Sequence, residues 1–176
     1  CGWLLPMKSF GFTISRSSRS PTARLPLVTN ALRATCSRAA HIRAVDKKPL
    51  DEWYQKTPGV ENLVLDVSFR DNCVKACAGA VEVYNLAADM GGMGFIERFR
   101  IECLRSVLIN THMIESAQRA GADRYFFSSS ACAYNVDLQK DTQSRALKES
   151  DAYPANAERG YGWEKLFSEI VCQEYW

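Results

Sequence analysis

Strand-like apolar segments that alternate with helical segments constrain the fold of this chain most strongly. β-forming residues are concentrated at 41–45, 62–66, 81–86 and 124–129, and helical patterns occupy 68–78 and 96–120. Such an alternation predicts right-handed crossovers and a parallel sheet. The four strands end at residues of site-forming types, namely Asp46, Asp66, Ala88 and Ser130. Because ligands bind at the carboxyl ends of parallel strands, we predict a Rossmann-type doubly wound α/β sheet with its site at that edge.

The two helical segments carry apolar residues at helical spacing. We expect Ser68 to cap the first helix and Gly79 to close it, while Gly121 ends the second. The predicted buried face of the first helix consists of Phe69, Cys73, Val74 and Cys77. The predicted buried face of the second consists of Phe99, Cys103, Leu104, Val107, Leu108, Met113, Ile114 and Ala117.

Tyr161 and Lys165 lie four positions apart, which places them one turn apart on one face if the segment is helical. An ammonium beside a phenol lowers the tyrosine pKa from its reference of about 10. A hydroxyl from Ser130, in the serine run after the strand at 124–129, can share a hydrogen bond with the phenol and a substrate oxygen. The pair alone is common on amphipathic helices. Combined with the serine run, it predicts a proton relay at a sugar or alcohol carbon.

The residues of this relay and two further segments, 85–96 and 148–154, resemble a known family. The run Phe127-Ser-Ser-Ser-Ala-Cys-Ala-Tyr134 with Tyr161-x-x-x-Lys165 resembles the extended short-chain dehydrogenase/reductase family. Within it, Asn85-Leu-Ala-Ala-Asp-Met-Gly-Gly-Met-Gly-Phe-Ile96 and Lys148-Glu-Ser-Asp-Ala-Tyr-Pro154 are similar to the GDP-mannose 3,5-epimerases and their NAD-dependent epimerase relatives. The resemblance runs from about residue 41 to 176.

This resemblance implies an NAD cofactor and a nucleotide-sugar substrate, with a GDP-hexose favoured. It assigns catalysis to Tyr161, Lys165, Ser130 and Cys132. It assigns cofactor binding to Asp46, Asp66, Leu86, Ala87, Ala88, Tyr161 and Lys165. It assigns substrate binding to Gly91, Ser130 and Cys132. The helices at 96–120 and 156–175 are implied to pair across a homodimer.

The reaction implied by the resemblance is epimerisation by transient oxidation of the hexose. Tyr161 acts as base, Lys165 lowers its pKa, Ser130 orients the oxygen, and Cys132 takes part in inverting the neighbouring carbons. A dehydratase or reductase of the same family is a second hypothesis. A catalytically inactive relative with a binding or structural role is a third.

Residues 1–40 differ in composition from the remainder. Residues 1–45 carry seven Lys or Arg and no acid, which leaves fifteen basic against twenty acidic residues afterwards. Three interpretations fit residues 1–40: a transit peptide from Met7, a basic disordered arm, or a non-native segment. We favour the non-native segment, followed by a partial NAD-binding domain at 41–176. The cytoplasm is then the expected location, and an organelle if 7–40 is a transit peptide.

The family's glycine-rich turn is the main departure from the resemblance. Residues 25–29 are the candidate first strand, yet residues 30–38 contain no glycine to hold a pyrophosphate closely. The sugar-nucleotide domain that the resemblance implies is also missing, so we expect this chain to be an incomplete form of the enzyme that is inactive by itself.

Charge, hydropathy and cysteine spacing exclude several function classes. The acidic balance after residue 45 argues against nucleic-acid binding, and no apolar run reaches the ~18 residues of a membrane span. Seven cysteines without C-x-x-C spacing or a His-rich segment indicate reduced thiols and predict no metal site. We expect Cys73 and Cys77 to pack in the core.

Overall fold

A five-stranded parallel sheet is the centre of the fold. The computed structural model describes residues 11–14, 41–53, 56, 58–140 and 146–175. The strands are β1 Gly11–Ile14, β2 Ile42–Asp46, β3 Val60–Val64, β4 Glu82–Asn85 and β5 Arg124–Phe127. The helices of these described residues are α1 Arg70–Cys77, α2 Met93–Arg98, α3 Arg100–Arg119 and α4 Tyr161–Tyr175, with short 3-10 turns between some of them.

The strand order is β3-β2-β1-β4-β5, and every neighbouring pair is parallel. The chain leaves β1 for one side of the sheet and returns beside β1 on the other side. This reversal is the topological switch point of a Rossmann-type fold. The predicted fold class is therefore confirmed.

The central strand lies within the basic amino-terminal segment. β1 pairs with β2 through Gly11↔Ile42 and with β4 through Gly11↔Glu82. The first-strand candidate at 25–29 and the glycine-free stretch at 30–38 both lie outside the described residues. Gly11–Ile14 was not predicted as a strand from the sequence.

The boundary after β3 differs from the prediction. β3 ends at Val64, and the Asp66 side chain accepts a hydrogen bond from the Ser68 amide at 2.9 Å. This aspartate turn takes the chain out of the sheet before α1 begins at Arg70. Ser68 is therefore not the helix cap as predicted: Phe69 holds that position, without a side-chain capping bond. Phe69 and Val74 are exposed, so their predicted burial was also wrong.

The predicted long helix at 96–120 is two helices that meet at Phe99. Phe99 leaves the helical region with φ −114° and ψ 48°, although the Cys103 amide still donates to its carbonyl at 3.0 Å. Phe99, Leu104 and Leu108 were predicted to be buried, and the structure exposes all three. Ile101, on the same helix as Leu104, is exposed as well.

The described residues divide into two compact units. The first, here called the sheet unit, comprises the described residues up to Ala88 together with Leu108–Ser128. The second, here called the helical unit, comprises Asp89–Val107 and the described residues from Ser129 onward.

In the core of the sheet unit, α1 and the second half of α3 pack against the strands. Its fully buried members are Val45, Cys73, Ala76, Cys77, Val83, Met113 and Ala117. Burial raises the pKa of both Cys73 and Cys77 to about 12. Their predicted role as core residues is confirmed.

A closed set of hydrogen bonds joins β4, β5 and α3 inside this core. Asn85 Nδ2 donates to Asn110 Oδ1 at 3.1 Å and to the Tyr125 hydroxyl at 2.8 Å. That hydroxyl donates in turn to Asn110 Oδ1 at 2.8 Å. Because the spare Oδ1 of Asn85 accepts from the Ala87 amide at 3.2 Å, the network also fixes the chain where it leaves β4.

In the helical unit, two small clusters surround the start of α4. One consists of Ala133, Ala152, Ala157 and Leu166. The other consists of Ile96, Cys103 and Tyr161, with Met90, Phe95 and Cys132 packed against it. The helix begins at Tyr161, five residues later than predicted, because Gly160 with φ +89° is not helical. Across the residues that the structure describes, none of the helices is both long and apolar enough to cross a membrane.

Candidate active site

Tyr161 and Lys165 occupy the first turn and the following turn of α4, on one face of the helix. Both are buried, with exposed fractions of 4% and 3%. Lys165 Nζ lies 5.4 Å from the centroid of the Tyr161 ring. A cation at this distance from an aromatic ring is attracted by the electrons of the ring.

The Tyr161 hydroxyl has a partner that the sequence did not reveal. It donates to Met90 Sδ, with 3.0 Å between the oxygen and the sulfur. Met90 belongs to the Asn85–Ile96 segment singled out above, but only the glycines of that loop were considered as ligands. A thioether is a weak acceptor, so a stronger oxygen acceptor can replace it.

Ser130 and Cys132 form the turn that follows β5. Ser130 caps the 3-10 turn Ala131–Ala133, and its Oγ accepts a hydrogen bond from the Cys132 amide at 3.2 Å. An accepting hydroxyl keeps its own hydrogen for donation. Cys132 is half-buried, and it packs against the cluster that contains Tyr161.

Sequence reasoning missed two carboxylates of α4, Glu164 and Glu169. Glu164 is buried, with Oε2 3.6 Å from Lys165 Nζ and Oε1 accepting from Ser168 Oγ at 3.2 Å. Burial raises the pKa of Glu164, while Lys165 and Ser168 act in the opposite direction. The Ser129 hydroxyl donates to the Glu169 carboxylate. No sequence pattern singles out Glu164, because its burial depends on what packs over α4.

Gly91, predicted to contact the substrate, has a packing role in the structure. A Cβ at this position would lie 2.5 Å from Phe95 Cβ, which is closer than any real contact. The missing side chain therefore lets the loop pass over Phe95. Substrate contact by Gly91 stays a prediction.

The sheet unit carries the predicted cofactor residues at its strand ends. Asp46 is the last residue of β2; it is buried, and its Oδ1 accepts from the Lys48 amide at 3.0 Å. Asp66 follows β3 by two residues, and its Oδ1 is used by Ser68. Leu86, Ala87 and Ala88 follow β4 and are half-buried. Their roles in binding a cofactor stay predictions.

The sequence pattern of the NAD dependent epimerase/dehydratase family matches residues 27–176. The chain belongs to that family. The match covers most of the chain and includes β2 to β5, the serine turn and α4.

Among its relatives in the family are plant enzymes. The chain is 43% identical over 113 residues to the GDP-mannose 3,5-epimerase of Arabidopsis thaliana, and this alignment covers 64% of the chain and 30% of the relative. It is also 43% identical over 113 residues to GDP-mannose 3,5-epimerase 1 of Oryza sativa subsp. japonica, with the same coverage. The aligned part is thus about a third of the length of these curated relatives.

Solved structures share the fold of this family member. The UDP-glucose 4-epimerase of Thermus thermophilus in complex with NAD superposes with a TM-score of 0.71 at 13% identity, covering 94% of this chain and 50% of that one. A short-chain dehydrogenase/reductase superfamily protein from Agrobacterium tumefaciens with bound NAD gives 0.68 at 21% identity, with coverages of 94% and 45%. At these identities the likeness shows the fold alone.

The strand ends of this epimerase/dehydratase family member fit the adenosine half of a dinucleotide. In this fold the ribose hydroxyls of the dinucleotide donate hydrogen bonds to an acidic residue at the end of β2. The carboxylate of Asp46 is at that position. An adenine amino group needs another acceptor, and Asp66 Oδ2 makes no hydrogen bond with any described residue. The donor and acceptor types therefore match the cofactor for which the family is named.

Proposed function

We propose that the protein is an NAD-dependent nucleotide-sugar epimerase whose substrate is GDP-mannose or a related GDP-hexose. The observation that carries this proposal is the buried Tyr161–Lys165 pair, with Nζ 5.4 Å from the ring centroid, in a member of the epimerase/dehydratase family. The names of the relatives at 43% identity favour GDP-mannose over other nucleotide sugars.

Tyr161 is the proposed base that removes the proton from a hexose hydroxyl. Lys165 is buried, so water screens its charge little, and it favours the phenolate that accepts this proton. Ser130 donates its hydroxyl hydrogen to the same sugar oxygen, while its Oγ stays anchored by the Cys132 amide. Met90 releases the Tyr161 hydroxyl when the sugar oxygen takes its place.

We propose that Asp46 binds the adenosine ribose of NAD and that Asp66 binds the adenine. The main chain of Leu86–Ala88 lies beside the nicotinamide and its ribose in this proposal. NAD, when bound, supplies the transient oxidation of the hexose. An acidic residue at the end of β2 attracts ribose hydroxyls and repels a 2′-phosphate, which favours NAD over NADP. Lys47 and Lys48, next to Asp46, weaken this preference.

Cys132 is the proposed acid or base for inversion. Once a hexose carbon is a ketone, the neighbouring C–H bonds become acidic, and a thiol can remove or return their protons. The half-buried position of Cys132 beside the Tyr161 cluster supports this role. A dehydratase or reductase would use the same Tyr–Lys pair without needing that thiol.

The test uses isotope exchange in deuterated water. The purified chain is incubated with NAD and GDP-mannose, and the mass of the hexose is followed. An epimerase adds deuterium at the carbons beside the transient ketone, whereas a dehydratase removes the mass of one water. Deuterium entry with the native chain, and none with Tyr161→Phe, would support the proposal.

Two controls separate the hypotheses. Calorimetry of NAD binding to the native chain and to Tyr161→Phe is expected to give affinities that differ little, because the variant loses only the predicted contact of the phenol hydroxyl and keeps the adenosine contacts proposed at Asp46 and Asp66. Cys132→Ala is expected to keep NAD binding and to slow deuterium entry. NAD binding without any change in the hexose would contradict an epimerase and identify an inactive relative.

We also propose that the protein is a homodimer. Large apolar side chains are exposed on the helical unit: Ile101 and Leu104 on α3, and Trp163, Phe167 and Ile170 on α4. Those on α4 are spaced at i, i+4 and i+7, so they form one stripe. A second copy of the chain that presents the same stripes can cover them.

Sedimentation velocity tests the dimer. Phe167→Asp is expected to give monomers, since a charge on a covered apolar stripe opposes association. Phe69→Asp is the matched control, because Phe69 is the more exposed of the two, at 64%, and lies in the sheet unit. A native chain that sediments as a monomer would refute the proposal.

The proposed location is the cytoplasm. All five cysteines within the described residues are free thiols, which suits a reducing compartment. A fluorescent fusion at the carboxyl terminus would show organelle import instead if residues 7–40 act as a transit peptide.

A further inference from the structure

The start of α4 touches two main-chain segments at glycine positions. A Cβ on Gly160 would lie 3.0 Å from the Arg100 carbonyl oxygen, and a Cβ on Gly162 would lie 2.2 Å from the Cys132 carbonyl oxygen. Tyr161 stands between these two contacts. The second distance is far below any real Cβ contact, so only glycine fits there.

The obstacle at Gly162 is main chain and is itself fixed. The Cys132 carbonyl accepts a hydrogen bond from the Glu158 amide at 3.1 Å. The Glu158 side chain reaches back, and its Oε2 accepts from the Gly162 amide at 3.2 Å. No rotamer change can relieve a clash with a carbonyl held in this way, so an added methyl must separate α4 from the Cys132 turn.

We propose that Gly162 is a positioning residue that sets the distance between Tyr161 and Cys132. It allows the first turn of α4, which begins with Tyr161, to rest directly on the main chain of Cys132. This inference rests on the proposed function, in which Tyr161 and Cys132 act on one hexose. The two groups must then be held at a fixed separation, and a rigid contact between backbones does this better than side chains.

The size of the effect follows from the geometry. To turn a 2.2 Å separation into an ordinary contact, α4 and the Cys132 turn must move apart by roughly 1 Å. A misplacement of this size between reacting groups costs on the order of a hundredfold in rate. Cofactor affinity is not expected to change, because the adenosine contacts are proposed at other residues.

The test compares Gly162→Ala with Gly94→Ala. Gly94 lies in α2, and a Cβ there has no neighbour within 4 Å, so it controls for adding a methyl group to a helix. The first measurement is the rate of Cys132 alkylation by iodoacetamide, with Cys172, which lies on α4 itself, as the internal reference. The second is deuterium entry into GDP-mannose, alongside NAD affinity by calorimetry.

We expect Gly162→Ala to label faster at Cys132 and equally at Cys172, and to lose deuterium entry with unchanged NAD affinity. General destabilisation would raise labelling at both cysteines, and this would count against the proposal. Unchanged Cys132 labelling in a folded Gly162→Ala variant would overturn it. Alkylation does not depend on turnover, so an inactive native chain would refute the proposed function and leave this test intact.

If Gly162→Ala does not fold, the variant Glu158→Ala tests the positioning role instead. It removes the carboxylate that accepts from the Gly162 amide without adding an atom to the contact. Selectively faster labelling of Cys132 would support the positioning role, and unchanged labelling would refute it.

Discussion

The Tyr161 hydroxyl donates its hydrogen bond to the sulfur of Met90, across 3.0 Å and seventy-one positions of sequence. Thioethers are weak acceptors, and a buried phenol needs a partner. Met90 therefore satisfies the phenol without binding it strongly. This suits a group that must exchange its partner for a sugar oxygen.

Replacing Met90 with Leu is expected to lower the free energy of unfolding by about 1 kcal/mol. The volume is nearly conserved, so the loss comes mainly from the hydrogen bond of the phenol. Urea denaturation measures it. Met93→Leu makes the same chemical change at an exposed position and is expected to cost nothing measurable. Equal effects of the two variants would contradict the importance of the Tyr161 contact.

Replacing Asn110 with Leu is expected to destabilise the protein by about 2–3 kcal/mol. The change removes the acceptor shared by Asn85 and the Tyr125 hydroxyl inside the core of the sheet unit, and buried polar groups left without partners are costly. Urea denaturation of Asn110→Leu, Tyr125→Phe and the double variant measures the coupling. Strictly additive losses would show that the three side chains do not act as one network.

The stability of the protein is expected to depend on the ionisation of Glu164. Burial raises the pKa of this carboxyl above its ordinary value of 4.5, so the folded chain holds the proton more tightly than the unfolded chain. The stabilisation is complete below pH 4.5 and is lost as the pH rises through the folded pKa.

Glu164→Gln cannot ionise and serves as the reference. The difference in free energy of unfolding, native minus Glu164→Gln, is expected to fall as the pH rises from below 4.5 to neutrality. Thermal or urea unfolding across this range measures it. A difference that grows with pH would mean that the ion pair with Lys165, at 3.6 Å, outweighs the cost of burial.

The cysteines are expected to differ in reactivity toward iodoacetamide. Burial raises the pKa of Cys73 and Cys77 to about 12 and that of Cys103 to about 11, so few thiolates form at neutral pH. Cys132 and Cys172 are half-buried. Among the five cysteines of the described residues, peptide mass mapping should find label at Cys132 and Cys172 first, and at all five once urea unfolds the chain. Early labelling of Cys73 would contradict the described core.

Local patterns in the sequence were sufficient for the order of the elements. Alternation of apolar segments predicted four of the five parallel strands, and glycines placed the ends of α1 and α3. Errors arose where a side chain competed with the backbone. The Asp66 carboxylate accepts a hydrogen bond from the Ser68 amide. The strand therefore ends before Asp66, and Ser68 does not cap the helix that follows. Periodicity also runs through Phe99 without interruption, although the helix does not.

Sequence by itself determined the sheet's parallel character, because strands that alternate with helices require crossover connections. It also determined the pairing of Tyr161 with Lys165, because a spacing of four residues places both on one face of a helix. Only the tertiary structure decided that Met90 meets the phenol, that Gly162 lies on the Cys132 carbonyl and that Glu164 is buried beside Lys165. The first two contacts join segments far apart in the chain, and the burial of Glu164 depends on what packs over α4. No periodic pattern records which residues approach when helices and turns pack.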